Sequence, residues 1–221
     1  MRSSIPHYYT DMTCHELTTK ILRVETSETL TVLTLEDTIF HPQGGGQPTD
    51  RGTIKNEHGE LTVTQVKRRE DGQIEHIGTL LGQLSEGQTV QCKIDEPARH
   101  LHSRLHSAGH LIDVALEGLG LPWEPNKGYH FPEGPYVEYH APTKPEEGLA
   151  GRLEEVLSKL IAQNNPTHIE LQDQTRIITL AGKSIPCGGT HVQRLGEIGP
   201  IKIRYIKYNH GIAKIGYGLT P

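Results

Sequence analysis

The sequence predicts an α+β protein, a small β-barrel in residues 1–95 followed by a mixed helix-and-sheet domain in residues 96–221. Three observations lead there. Short strand-like segments separated by turn residues crowd the first ninety positions. A helix-start signal stands at Asp95-Glu96-Pro97. Apolar residues then recur at helical spacing before strand patterns resume.

In the first half, residues 17–25 and 29–36 read as a strand pair joined at Ser27-Glu28. Residues 60–69, 73–78 and 88–95 continue the pattern, with Gly59, Asp71-Gly72 and Glu86-Gly87 as turns. Asp95 then supplies a capping carboxylate, Glu96 an acid in the first turn and Pro97 a residue suited to an early helical position. Leu101, Leu105, Ala108, Ile112, Ala115 and Leu119 follow at helical spacing, ended by Gly118 and Gly120. A second helix is expected over residues 145–164, with Leu149, Leu153, Val156, Leu157, Leu160 and Ile161 on one side. Strands are expected at 167–171, 176–180, 201–208 and 212–217.

With 34% hydrophobic and 22% charged residues, the chain is globular rather than disordered. It has no long apolar run and no signal-like N-terminus, so no membrane association and a cytoplasmic location are expected. Cys14, Cys92 and Cys187 are too few and too scattered for a disulfide framework. A formal net charge of -5 excludes a broadly basic nucleic-acid binder, so any RNA contact needs local patches. Lys67-Arg68-Arg69 and the trio Lys202, Arg204 and Lys207 are the two available. Solvated strand faces are the simpler reading of both.

Fourteen histidines are the unusual count. His106 and His110 lie four apart on the first long helix, so both imidazoles can reach one ion; His102 extends the row. Ser107 stands where the H-E-x-x-H metalloprotease pattern has its glutamate, so that pattern is excluded. Cys187-Gly188-Gly189-Thr190-His191 offers a second pair four apart in a loop opened by Pro186. Together the two half-sites make a tetrahedral zinc site, since imidazole and thiolate suit zinc. Four protein ligands would close the shell. Either one of them, such as His191, binds loosely or acts as acid/base, or the metal becomes five-coordinate during reaction. A third feature, His41-Pro42-Gln43-Gly44-Gly45-Gly46-Gln47 leading to Asp50 and Gly52, has glycines that expose backbone N–H groups to a substrate. Beside them, Gln47 is expected to contact substrate rather than core.

The ordered set GGGQ with Asp50 and Gly52, RLHSAGHLI and IPCGGTHV resembles the editing region of alanyl-tRNA synthetases and the free-standing AlaX editing proteins. Residues 196–199, Lys202-Ile203 and residues 211–215 extend the resemblance over nearly the whole chain. The resemblance implies a translation-factor-like barrel and a zinc domain related to threonyl-tRNA editing domains. It implies one zinc per chain on His106, His110, Cys187 and His191, which are thereby also catalytic residues. It makes Gln47 an active-site residue, with Gly44, Gly45 and Gly46 shaping its loop; Thr190 is added as a substrate contact. His41 departs from the tyrosine frequent in the family. The expected activity is zinc-assisted hydrolysis of the aminoacyl ester of mischarged tRNA(Ala). The expected cargo is serine, with glycine as a second cargo, acting in trans because no aminoacylation domain is recognisable. The rival classes are a zinc-stabilised RNA-binding module without catalysis and a zinc hydrolase of small esters or amides. The sequence leaves the oligomeric state open, and a monomer is compatible with it.

Overall fold

The computed structural model describes residues 6–173 and 175–220. The polar N-terminal lead, residues 1–5, lies outside them. Strands β1 (Glu16–Thr26), β2 (Thr31–Leu35), β3 (Gly52–Lys55), β4 (Gly59–Arg68), β5 (Ile74–Gly82) and β6 (Thr89–Ile94) close into an antiparallel barrel of order β1-β2-β5-β4-β3-β6. β6 pairs back onto β1, which removes the free edges. Alternation decides what fills it. Along β6, Val90, Cys92 and Ile94 point inward while Thr89, Gln91 and Lys93 face water. Ile21, Leu33, Ile54, Leu61, Val63 and Val66 complete the interior. The four-residue strand β3 was not expected from sequence, because Arg51-Gly52-Thr53 reads as a loop. It is held between β4 and β6 by its pairing on both sides.

Helix α1 (Glu96–Gly118) begins as its capping signal requires: Ala98 N donates to Asp95 Oδ1 at 3.1 Å. The chain divides into two compact units inside this helix. One comprises residues 1–44 and 48–99, the other residues 45–47 and 100–221. In the second unit α1 presents Leu105, Ala108, Leu111, Ile112 and Ala115 to a core shared with Val137, Tyr139, Ala213, Ile215 and Tyr217. Leu101, counted in the same stripe from sequence, is instead exposed. The core side chains facing α1 come from a four-stranded antiparallel sheet of order β12-β13-β8-β7, built from β7 (Glu124–Tyr129), β8 (Tyr136–His140), β12 (Ile201–Asn209) and β13 (Ile212–Leu219). Helix α2 (Leu149–Gln163) starts later than expected, at a left-handed Gly148, and buries Leu149, Leu153 and Leu157. A three-stranded sheet, β9 (His168–Gln172), β10 (Thr175–Leu180) and β11 (Lys183–Pro186), carries the chain to Cys187. Among the described residues no helix is long and apolar enough to cross a membrane. All three cysteines are free.

Two buried polar groups organise the first unit around the glycine-rich segment. Arg99 and Asp50, 3% and 1% exposed at their side chains, form a buried ion pair in which Arg99 Nε lies 2.9 and 3.0 Å from the two carboxylate oxygens. Arg99 also donates to Ile39 O, and Asp50 Oδ2 accepts from His41 N at 2.6 Å, while Asp50 N returns a bond to His41 O. The guanidinium thereby ties down both stems of the segment between residues 41 and 50. His76, fully buried, donates from Nδ1 to Leu33 O at 3.1 Å and accepts at Nε2 from Thr38 Oγ1 at 2.8 Å. Thr38 Oγ1 in turn accepts from Phe40 N.

Burial depresses the His76 pKa to about 4, against about 6.5 in the unfolded chain. Between those values the unfolded state takes up the proton and the folded state does not. Stability supplied by the neutral ring is therefore present above pH about 6.5 and lost as pH falls toward about 4, by up to roughly 3 kcal/mol. Melting curves of the wild type and of His76→Gln at pH 7 and pH 4.5 should show a smaller acid-induced loss in the variant. Equal losses would remove His76 as the titrating group.

Candidate metal centre

Helical spacing brings His106 and His110 onto one face of α1, and the loop after β11 brings Cys187 and His191 opposite them. One ligand atom from each of the four lies within 4.8 Å of all the others. Cys187 Sγ is 3.5 Å from His106 Nε2 and 3.4 Å from His191 Nε2. A zinc tetrahedron with Zn–S of about 2.3 Å and Zn–N of about 2.0 Å has S···N edges of about 3.5 Å, so the four side chains fit that ion. His110 Nε2 is buried, has no partner of good hydrogen-bond geometry, and lies within the cluster beside Cys187. His102, one turn earlier, is not part of the cluster.

Each imidazole is held from behind. His106 Nδ1 lies 2.8 Å from Gln47 Oε1, which also accepts from Thr190 N at 2.9 Å. Ser107 Oγ lies 3.2 Å from His191 Nδ1 and accepts from Val192 N. Asp113 Oδ2 lies 3.5 Å from His110 Nδ1, and its other oxygen accepts from Tyr139 Oη at 2.5 Å. Such partners fix the ring tautomer and orientation of a ligating histidine. Gly189 must lack a side chain: a Cβ there would stand 2.1 Å from His106 Cε1 and 2.9 Å from Gln47 Oε1.

Gln47 and Thr190, the expected substrate contacts, lie inside the protein. Both are fully buried, and Gln47 Nε2 donates to Thr190 Oγ1 at 2.8 Å, which pairs further with Ser103 Oγ at 2.7 Å. The amide turns toward His106 because that is where its partners are. Of the three glycines, Gly44 belongs with the barrel unit, while Gly45 and Gly46 belong with the second unit and Gly45 reaches the site cavity. Their φ angles of 57° and 76° require glycine-like backbone freedom and make the tight turn that delivers Gln47. His41 is buried in the first unit against Tyr8 and lies in neither the cluster nor the cavity.

Sequence reasoning missed Arg176, Asp113 and His130. Buried Arg176 donates to Cys187 O at 2.9 Å and Gly189 O at 2.6 Å, and so shapes the ligand loop. Asp113 stands one helical turn beyond His110, a spacing that could have marked it. Electrostatics join these groups. Burial opposes the charged forms of both His110 and Cys187, but the two partners overcome it. With help from Asp113 the His110 pKa is raised to about 9. With help from Gly189 N–H and Arg176 the thiol of Cys187 is lowered. The thiolate is the form that binds metal. His130, stacked on His106 at 4.5 Å, is driven the other way: burial, and then the charge of His110, lower its pKa to about 3 and keep it neutral. A cavity of about 290 Å³ opens beside the cluster, walled by His106, His110, Asp113, Lys127, His130 and Cys187 among others.

Comparison with known proteins places this geometry. Residues 8–98 match the family model for tRNA synthetases class II (A), and residues 175–218 match that for the threonyl and alanyl tRNA synthetase second additional domain. The alanyl-tRNA editing protein AlaX-L of Pyrococcus horikoshii is 28% identical over 233 aligned positions, covering 95% of this chain and 56% of that protein. The alanine–tRNA ligase of Neorickettsia sennetsu is 29% identical over 94% of this chain but only 27% of its own length. The chain thus spans about half of the first relative and about a quarter of the second. The alanyl-tRNA editing protein AlaX-M of Pyrococcus horikoshii is 32% identical over 203 aligned positions, with 88% of each chain covered. With that likeness running through nearly the full length of both proteins, the chain belongs to the AlaX family of alanyl-tRNA editing proteins.

Proposed function

We propose that this protein removes a wrongly attached amino acid from tRNA(Ala) by zinc-assisted hydrolysis of the aminoacyl ester, in trans, with serine as the principal cargo and glycine as a second. The observation that carries the reading is the four-ligand cluster at the wall of a cavity large enough for an aminoacyl group. We assign the chemistry to the second unit, which contains every residue of the cluster. Zinc held there would supply a Lewis acid for the ester carbonyl. The protein's own contribution is positional. Gln47, Ser107 and Asp113 set the direction of three imidazoles, and Arg176 holds the loop that carries Cys187.

The RNA side of the reading rests on the outer face of the four-stranded sheet. Strand pairing aligns Lys207 with Lys214 and Glu138, and Tyr205 with Gly216, Tyr136 and Tyr129. Lys214 Nζ sits 3.3 Å from the Tyr136 ring centroid, and Lys207 Nζ 4.9 Å from that of Tyr205. Of the expected trio, Lys202 is paired with Glu154 while Arg204 and Lys207 form no ion pair among the described residues; Lys214 is paired with Glu138, and Lys127 adds a further unpaired cation. Exposed cations among aromatic rings suit an unpaired RNA end, with phosphates on the cations and bases against the rings.

Four outcomes are expected. Purified protein should hold one zinc per chain, and Cys187→Ala should lose both the zinc and deacylation; intact activity in a zinc-free sample would refute the metal's role. Gln47→Ala should weaken zinc affinity by ~10- to 100-fold, because His106 loses its orienting partner. Unchanged zinc affinity with a raised KM would restore Gln47 as a substrate contact. Initial rates on charged tRNA(Ala) should favour serine over alanine by up to ~10⁴-fold, because a site built to bond a hydroxyl rejects the cargo lacking it. Rates at subsaturating tRNA should fall with salt, and Lys207→Ala should reduce the salt slope by about one. Equal cleavage of seryl and alanyl esters would end the editing assignment.

A further inference from the structure

We propose that His130 is the specificity residue of this site, an acceptor whose Nε2 lone pair takes the hydrogen bond of a hydroxyl-bearing cargo and has nothing to bond in the methyl analogue. The inference rests on reading the cavity as the seat of an aminoacyl ester. Nothing in the sequence marks His130, which follows Gly128-Tyr129 at the end of β7.

The location of its proton follows from its partners. His130 Nδ1 and Tyr217 Oη are 2.7 Å apart, and Tyr217 Oη lies 2.9 Å from Leu105 O. A carbonyl only accepts, so the single phenolic proton goes to Leu105. Tyr217 Oη must then accept from His130, which puts the ring proton on Nδ1 and the lone pair on Nε2. The tautomer is thus fixed by a backbone carbonyl of α1.

The ring is 4% exposed and is gripped by glycines. A Cβ on Gly109 would stand 2.4 Å from Cε1, and one on Gly46 3.2 Å from Cδ2. A Cβ on Gly128 would stand 2.5 Å from Nε2 but 3.0 and 3.6 Å from the flanking ring carbons. That point lies beside Nε2, toward Cε1 and out of the ring plane, close enough to crowd anything that approaches the nitrogen. Gly128 therefore leaves open the approach that any side chain would close. The backbone secures the same arrangement, with His130 N donating to Gly46 O at 2.8 Å. The glycine-rich turn and the cavity meet at this ring.

Charge matching assigns its task. Every cargo presents an α-ammonium group, and the carboxylates in the cavity wall are Asp113, which also faces His110 and Tyr139, and Glu138, which also pairs with Lys214. A neutral acceptor adds little for that cation. It suits a neutral donor, and the hydroxyl is what serine has and alanine lacks. With alanine in place, Nε2 is cut off from water without a partner, a cost that a carboxylate-only pocket would not impose.

The test compares seryl- and alanyl-tRNA(Ala) on wild type, His130→Asn, His130→Gln and Gly128→Ala. Asparagine can keep the donor to Tyr217 but brings no atom to the Nε2 position; glutamine can place an oxygen there. The ratio of seryl to alanyl kcat/KM should fall ~10- to 100-fold in His130→Asn and in Gly128→Ala, and recover in part in His130→Gln. Zinc content and melting temperature report whether each variant is folded. Should the variants fail to fold, wild type on cysteinyl-tRNA(Ala) decides, since a thiol of similar shape is only a weak donor and should be cleaved at least ~10-fold slower than serine. A wild type selective for serine whose folded His130→Asn keeps that selectivity, or which cleaves the cysteinyl ester as fast as the seryl, overturns the proposal alone. A wild type that cleaves neither seryl nor alanyl ester overturns the reading of the cavity and this proposal with it.

Discussion

An imidazole has one lone pair to give, and the candidate metal centre depends on that lone pair being on the correct nitrogen three times over. In His106, His110 and His191 the outer nitrogen, Nδ1, faces a polar partner: Gln47 Oε1, Asp113 Oδ2 and Ser107 Oγ. Nε2 is left to face Cys187 in at least the two rings where the distance is short. Neutral histidine exchanges tautomers freely in water, and a site that needs all three aligned must remove that freedom. Three different side chains perform the same task. They have in common only that each offers an oxygen at the outer nitrogen.

The thiolate imposes the second constraint. A buried sulfur anion is unfavourable unless its surroundings return the lost hydration. Here the compensation is distributed. In the metal-free protein His110 favours the anion, Gly189 N–H donates to Cys187 Sγ at 3.5 Å, and Arg176 lies close enough to contribute while its guanidinium binds the carbonyls on either side; a bound metal would replace His110 in that task and take its Nε2 lone pair. Arg176 therefore does two things with one group, shaping the loop and balancing its charge. The Arg–Asp pair at Asp50 and Arg99 follows the same rule in the first unit, where a buried cation binds a carboxylate and a main-chain carbonyl together.

Much of this was legible in the chain because it is local. The four ligands come as two pairs with four-residue spacing, and helix periodicity alone puts His106 above His110. The barrel strands β1, β2, β4, β5 and β6 alternate clearly enough to be read. β7 and β8 were not, because β7 contains Pro125, Asn126 and Gly128, residues that signal turns. It survives as a strand by pairing with β8 through an irregular register between Pro125 and Lys127. β11 ends in proline, which a sheet edge tolerates. The hydrogen-bond partners of Gln47 were not legible for the opposite reason. Its neighbours are three glycines, which suggest openness, yet its partners His106 and Thr190 stand 59 and 143 positions away. Burial at that position is set by residues that no local window contains. Arg176 and His130 share this property, since each becomes meaningful only through distant loops and helices.

The assignment of Gly45, Gly46 and Gln47 to the second unit, while their flanks belong to the first, bears on how such a gene could be rearranged. A fragment cut between Arg99 and His100 would inherit all four side chains of the candidate metal centre in one continuous reading frame. It would leave behind the amide that steadies His106. Any lineage that borrowed residues 100–221 by recombination would need a fresh acceptor for that ring nitrogen, supplied by its new neighbour or by a compensating substitution. Three residues of a borrowed turn thus set a limit on modular exchange that a map of domain boundaries would not display.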